Sequence, residues 1–131
     1  MAAQTDDVSK ELIGHAIGVH RALGPGFLES VYEECLCSEL KSHNVPFRRQ
    51  VPLPVVYKSV QLECGYRMDL VVNESMVVEL KTVERILAIH EAQLLTYLRL
   101  SGLNLGLLLN FSAPVLKDGI KRMVLNRPES P

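Results

Sequence analysis

The sequence predicts a mixed α/β fold, a central mixed sheet flanked by helices. Three observations carry this. Apolar residues recur at helical spacing through the first forty positions, β-type residues dominate 46–81, and helical spacing then returns before an apolar strand-like run at 103–111. The expected order is α, α, three or four strands, α, β, α, a layered arrangement of sheet and helices. Because the last strand follows a helical crossover, it should lie parallel to one of its neighbours.

Residues 1–6 are polar and read as a frayed end, as do 126–131. Over 7–23, Leu12, Ile13, Ala16, Ile17, Val19 and Leu23 mark a first helix that stops at Gly24-Pro25-Gly26. Phe27, Leu28, Val31, Tyr32, Cys35, Leu36 and Leu40 mark a second, which runs out near Ser42-His43-Asn44. Residues 51–57 and 60–64 read as strands joined by a tight turn at Lys58-Ser59. Pro52 and Pro54 lack the N–H that a central ladder needs, so the first of these belongs at an edge or is irregular. A hairpin at 68–80 follows, then a helix over 86–100 ended by Gly102, a buried strand at 103–111 and a short closing helix at 115–124.

Of the 131 residues 47% are hydrophobic, enough for the core of one compact domain. Fourteen basic and fifteen acidic residues leave a net charge of −1, so no global basic footprint for nucleic acid exists and any such partner has to be argued locally. Cys35, Cys37 and Cys64 are odd in number and lack metal-ligand spacing, and read as reduced thiols. No basic segment followed by an apolar one opens the chain, and no apolar run approaches the ~20 residues of a membrane span. A soluble, cytoplasmic setting without a membrane is the expectation.

The chemistry concentrates in the hairpin. Apolar runs at 68–72 and 76–80 flank Asn73-Glu74-Ser75, and a three-residue loop pairs Val72 with Met76 and sets Asp69 opposite Glu79. Two carboxylates facing each other among Val, Leu and Met repel. A divalent cation offsets that repulsion, and hard oxygen ligands at adjacent strand positions suit Mg²⁺ or Mn²⁺. Lys81 shares the face of Glu79, while Leu80 points away with its carbonyl available to the site. The plainer alternative is a surface hairpin in which Lys81 pairs with an acid.

Glu29 stands in the first turn of the second helix with Tyr32 on the same flank, where on its own it would serve the positive helix end. In the third helix Ile86, His90, Gln93 and Tyr97 share a face distinct from Leu87, Leu94 and Leu98. A lone polar pair such as Gln93 and Tyr97 is more often merely solvated, and His90 can serve a carboxylate, a phosphate or neither. His15 and His20 are five apart rather than four, which is not the pair of a helical zinc site, and we assign them no chemistry.

Together these residues resemble a known family. Asp69, nine intervening residues and Glu79-Leu80-Lys81 resemble the core motif of the PD-(D/E)xK nuclease superfamily. Gly26, Glu29 and Tyr32 match the signature of its GxxExxY branch, and Gln93 with Tyr97 resembles the QxxxY motif of RecB-like exonucleases. The likeness runs from Ile13 to about Val124, with Met68 where the superfamily name has proline. It implies a restriction-endonuclease-like αβββαβ core and a metal-dependent nuclease. Asp69, Glu79, the Leu80 carbonyl and Glu29 would serve the metal, Lys81 would stand near the attacking water, and Gln93 and Tyr97 would orient.

The expected activity is phosphodiester hydrolysis of nucleic acid, DNA being favoured, with Mg²⁺ or Mn²⁺ as cofactor. Arg48, Arg49, Lys117, Lys121, Arg122 and Arg127 are the candidates for backbone contacts, although each alone is more often plain solvated surface. So modest a basic surface implies weak, salt-dependent binding. Two alternatives stay open: an inactive binding or assembly module working through a protein partner, and hydrolysis of a small phosphorylated metabolite. A homodimer is also open, because the 103–111 strand could be central or an edge covered by a second copy.

Overall fold

A computed structural model describes residues 2–126, with side chains from Asp6 onward. Helices α1 (Ala2–Leu23) and α2 (Glu29–Ser42) precede strands β1 (Phe47–Pro52), β2 (Val55–Tyr57), β3 (Val60–Leu62), β4 (Arg67–Val72) and β5 (Met76–Lys81). Helix α3 (Ala88–Ser101), β6 (Leu105–Asn110), a 3₁₀ turn at Leu116–Gly119 and β7 (Ile120–Val124) complete the order. Removing the β2–β3 hairpin and the flanking α1 and β7 leaves α2-β1-β4-β5-α3-β6, the expected αβββαβ core.

The five-stranded sheet runs β1-β4-β5-β6-β7, and only β5 and β6 are parallel. Helix α3 makes that crossover. Strand β1 is an edge, a place that its Pro52 tolerates, and it ends there because Pro54 cannot extend the ladder. The Lys58-Ser59 turn is present, both residues at positive φ, and closes the separate β2–β3 hairpin. Val72 pairs with Met76, as the three-residue loop predicts.

Four expectations need correction. The single strand expected over 51–57 is broken at Leu53 and Pro54, its start belonging to the end of β1 and its rest, Val55–Tyr57, to β2. The closing helix over 115–124 is absent: after the 3₁₀ turn the chain pairs as β7 along the open side of β6, where Ile120 meets Leu109. Strand β6 is thereby interior, so its complete burial needs no second copy of the chain. Helix α1 starts at Ala2 rather than Asp7, and Arg122 of β7 holds its first turns through Asp6 at 3.0 Å and Ser9 at 3.0 Å. Helix α2 starts at Glu29, leaving Phe27 and Leu28 outside it and exposed. The proposed C-terminal end at 127–131 lies outside the described residues.

Two apolar layers sandwich the sheet. Leu12, Ala16, Tyr32, Leu36 and Leu40 of α1 and α2 pack on Leu70, Val72, Val78, Leu80 and Leu107. Leu94, Tyr97 and Leu98 of α3 pack on Val71, Val77 and Leu108 of the other face. A Cβ at Gly106 would lie 2.8 Å from Leu94, so α3 sits as close to the sheet as it does only because that position is bare. The three cysteines are free. No described helix is long and apolar enough to cross a membrane.

Candidate metal and phosphate site

Ladder pairing of β4 with β5 stops at Leu70 and Val78, one residue short of the two carboxylates. Beyond that point the side chains take over the bonding. The Asp69 N–H donates to Glu79 Oε2 at 2.7 Å, and the Leu80 N–H donates to Asp69 Oδ2 at 2.9 Å. Each acid thus accepts a backbone proton from the opposite strand, which offsets part of their mutual repulsion.

Burial then decides their charge. Glu79 is 4% exposed, and burial first, with the neighbouring Asp69 second, pushes its carboxyl up to about 8. Asp69 is raised as well, chiefly by burial, and its hydrogen bond from Leu80 opposes the rise. Without a cation, Glu79 therefore holds a proton at neutral pH.

Strand alternation sends Leu80 into the layer under α1 and α2 and turns Glu79 and Lys81 toward α3. There Lys81 Nζ donates to Gln93 Oε1 at 3.5 Å. Tyr97, four residues on, is buried; burial first, then Glu79 and Asp69, raise its phenol to about 12. From the other side of the sheet Glu29 is raised by burial and then by Asp69, while Lys81 lowers it. The structure thus gathers Glu29, Asp69, Glu79, Lys81, Gln93 and Tyr97 into one neighbourhood.

Local chain geometry explains the spacing of Gly26, Glu29 and Tyr32. Tyr32 is fully buried and stacks on Phe111 with ring centroids 4.5 Å apart. Its hydroxyl donates to the Gly24 carbonyl at 2.5 Å and accepts the Phe27 N–H at 3.2 Å. Gly26 takes a φ of 114°, which a residue with a Cβ rarely adopts. The turn is clamped, and the helix presenting Glu29 starts where the clamp ends.

Several contributors escape a reading of the sequence. Glu33, one turn after Glu29, accepts from Arg49 at 2.8 Å and from Gln50 at 2.9 Å, and Gln50 also reaches Asp69 at 3.5 Å. Its four-residue spacing from Glu29 was a usable signal. Gln50, at a φ of 49°, is identifiable only from the β1–β4 register. Tyr66 meets Tyr97 edge-on at 6.2 Å. Asn110, buried beside Lys81, binds both the N–H and the carbonyl of Val83 and so fixes the chain leaving β5.

His90 accepts the Leu87 N–H at 2.9 Å, which makes it a cap of α3. His20 binds the Ala113 carbonyl at 2.8 Å within the core. Four basic candidates are paired with acids: Arg48 with Glu74, Arg49 with Glu33 and Glu34, Lys121 with Glu91 and Arg122 with Asp6. Arg127 lies outside the described residues, leaving Lys117.

The donor set fits a hard divalent cation. One oxygen of Glu79 accepts the backbone proton and the other has no hydrogen-bond partner among the described residues; Asp69 Oδ1 has only the long Gln50 contact. A strand residue's N–H and C=O leave on the same side, so the Leu80 carbonyl faces β4 as its N–H does. Two carboxylates and a carbonyl suit an ion that keeps several waters.

A family model described as the PD-(D/E)XK nuclease superfamily matches residues 6–123. No curated protein and no solved structure gives a significant match.

Proposed function

We propose that this chain, which belongs to the PD-(D/E)XK nuclease superfamily, is a metal-dependent nuclease that hydrolyses phosphodiester bonds of DNA. One observation carries the reading: Asp69 and Glu79 hold each other's strands with one oxygen apiece and keep the second for a ligand, with Lys81 alongside. Within the superfamily we place the chain in the GxxExxY branch. The clamp by which Tyr32 fixes the turn before Glu29 supports that placement.

Asp69, Glu79 and the Leu80 carbonyl would hold Mg²⁺ or Mn²⁺, which when bound supplies Lewis acidity to a phosphoryl oxygen and to a water. The remaining steps belong to the chain. Gln93 holds the Lys81 ammonium on the face of Glu79, where it orients the water and stabilises negative charge developing on phosphorus. Water attacks phosphorus as it gives up one proton to solvent, the bond to the leaving oxygen breaks, and that oxygen takes a proton back from solvent. Glu29 binds outer waters from the α2 side. Tyr97 and Tyr66 meet edge-on on the α3 side and line one pocket with Gln93.

The second reading is a nuclease-fold binding module acting through a protein partner, favoured by the internal pairing of Arg48, Arg49, Lys121 and Arg122. Calorimetric titration of Mn²⁺ and Mg²⁺ into the wild type and Asp69→Asn, with cleavage of single- and double-stranded DNA followed on the same samples, separates the two. Binding lost in the variant together with cutting by the wild type supports the nuclease. A wild type that binds no divalent ion at millimolar concentration leaves the binding module.

A further inference from the structure

We propose a second metal site, for a zinc-type transition ion, between α1 and α2 and independent of the Asp69–Glu79 site, with His15, Glu39 and His43 as ligands. One ring nitrogen from each histidine and a carboxylate oxygen of Glu39 lie within 4.8 Å of one another. The two imidazole rings are 4.4 Å apart at their centroids.

The topology explains the meeting. Helices α1 and α2 are joined by the short turn at 24–28 and pack together. His15 lies eight residues before the end of α1 and Glu39 ten residues after the start of α2. At about 1.5 Å per residue those positions are level when the helices run antiparallel. Each helix contributes a pair four apart, Glu11 with His15 and Glu39 with His43. Four-apart pairs share a face, so two of them converge where the helices touch.

The hydrogen bonds already resemble those of a ligand set. His15 Nε2 is 3.2 Å from Glu11, and a proton on that nitrogen leaves Nδ1 free, 4.0 Å from Glu39. A histidine that gives one N–H to a carboxylate while its other nitrogen faces a ligand position is the usual second support of a metal site. His43 Nδ1 gives its N–H to the Glu39 carbonyl at 2.9 Å and lies 3.2 Å from Ser42 Oγ, which leaves Nε2 of the same ring as the ligand nitrogen. Zinc bonds of 2.0–2.2 Å put tetrahedral ligands roughly 3.3 Å apart, so the groups must close by about an ångström. Glu39 and His43 are 47% and 51% exposed and free to do so, while His15, at 14%, is the fixed point. An open cavity of about 390 Å³ lined by Gly14, His15, Gly18, Cys35, Ser38 and Glu39 gives access. Two imidazoles and one carboxylate select zinc over magnesium, which prefers oxygen throughout.

The test titrates Zn²⁺ calorimetrically into the full chain carrying Asp69→Asn and Glu79→Gln, which removes the other acid pair, with excess Mg²⁺ present. Visible absorption of added Co²⁺ reports nitrogen ligation. The expected result is one zinc per chain, affinity at least a hundredfold lower after His43→Gln, and on the order of 10–100-fold lower after Glu11→Gln. Zinc should also raise the unfolding temperature of the parent but not of the His43→Gln variant. Since His43 is exposed at the end of α2, that variant keeps the fold. Zinc affinity within threefold of the parent after His43→Gln, or no zinc binding by the parent, overturns the proposal.

Discussion

Burial and the neighbouring Asp69 carboxyl act together on Glu79, and its titration has a definite sign. Its carboxyl sits at about 8 in the folded chain against 4.5 ordinarily, so the native state keeps a proton that the unfolded chain gives up. In chelator, stability should be full below about pH 4.5 and fall toward pH 8, by up to about 1.4 kcal/mol per pH unit. Denaturant melts at pH 5 and pH 8 measure this, and Glu79→Gln should flatten the slope. Saturating Mn²⁺ replaces the proton, so apparent affinity should rise with pH until about 8. Lys81→Ala should lower cleavage on the order of 10²–10³-fold while changing DNA affinity far less. Equal loss of both in paired cleavage and binding assays would remove Lys81 from the chemistry.

Among the elements, α2 and α3 position the site, and each is held by one small device. Tyr32→Phe removes the proton given to the Gly24 carbonyl and should cost about 1 kcal/mol. Its denaturation midpoint should drop without a change in slope. Gly106→Ala puts a methyl into Leu94 and should cost about 1–3 kcal/mol. That change pushes α3 outward, so DNA cleavage should fall with stability as Gln93 leaves Lys81. The hairpin, α3 and the edge position of β1 were all legible because loop length, apolar spacing and proline are local signals. The strand at 120–124 was not, because Ile120 and Met123 suit a short helix as well as a strand until β6 offers an open side. Likewise Gln50 and Asn110 act through neighbours distant in sequence, and no local pattern marks them.

At the scale of the whole molecule, near-neutral charge is arranged so that acids occupy four of the six basic candidates for phosphate contact. Arg67, Arg85 and Lys117 are among the basic residues that make no ion pair within the described residues, whereas Arg48, Arg49, Lys121 and Arg122 do. Affinity for duplex DNA should therefore fall with salt at about 0.9 log units per log unit for each phosphate engaged, near −3 if only those three take part. Fluorescence anisotropy across a salt series measures the slope. A much steeper value would mean that bound DNA displaces the acids.

The backbone hydrogen bonds that Glu79 accepts from Asp69 and Asp69 accepts from Leu80 have an evolutionary reading. These acids close the ladder where β4 and β5 part, so Asp69→Ala should cost roughly 1–3 kcal/mol through the stranded Leu80 N–H even where no metal is bound. A lineage released from catalysis would still be under selection to keep both carboxylates. It would be free to lose Lys81, which donates only one long bond, to Gln93. In a descendant of this chain, the lysine would be the earlier marker of lost turnover.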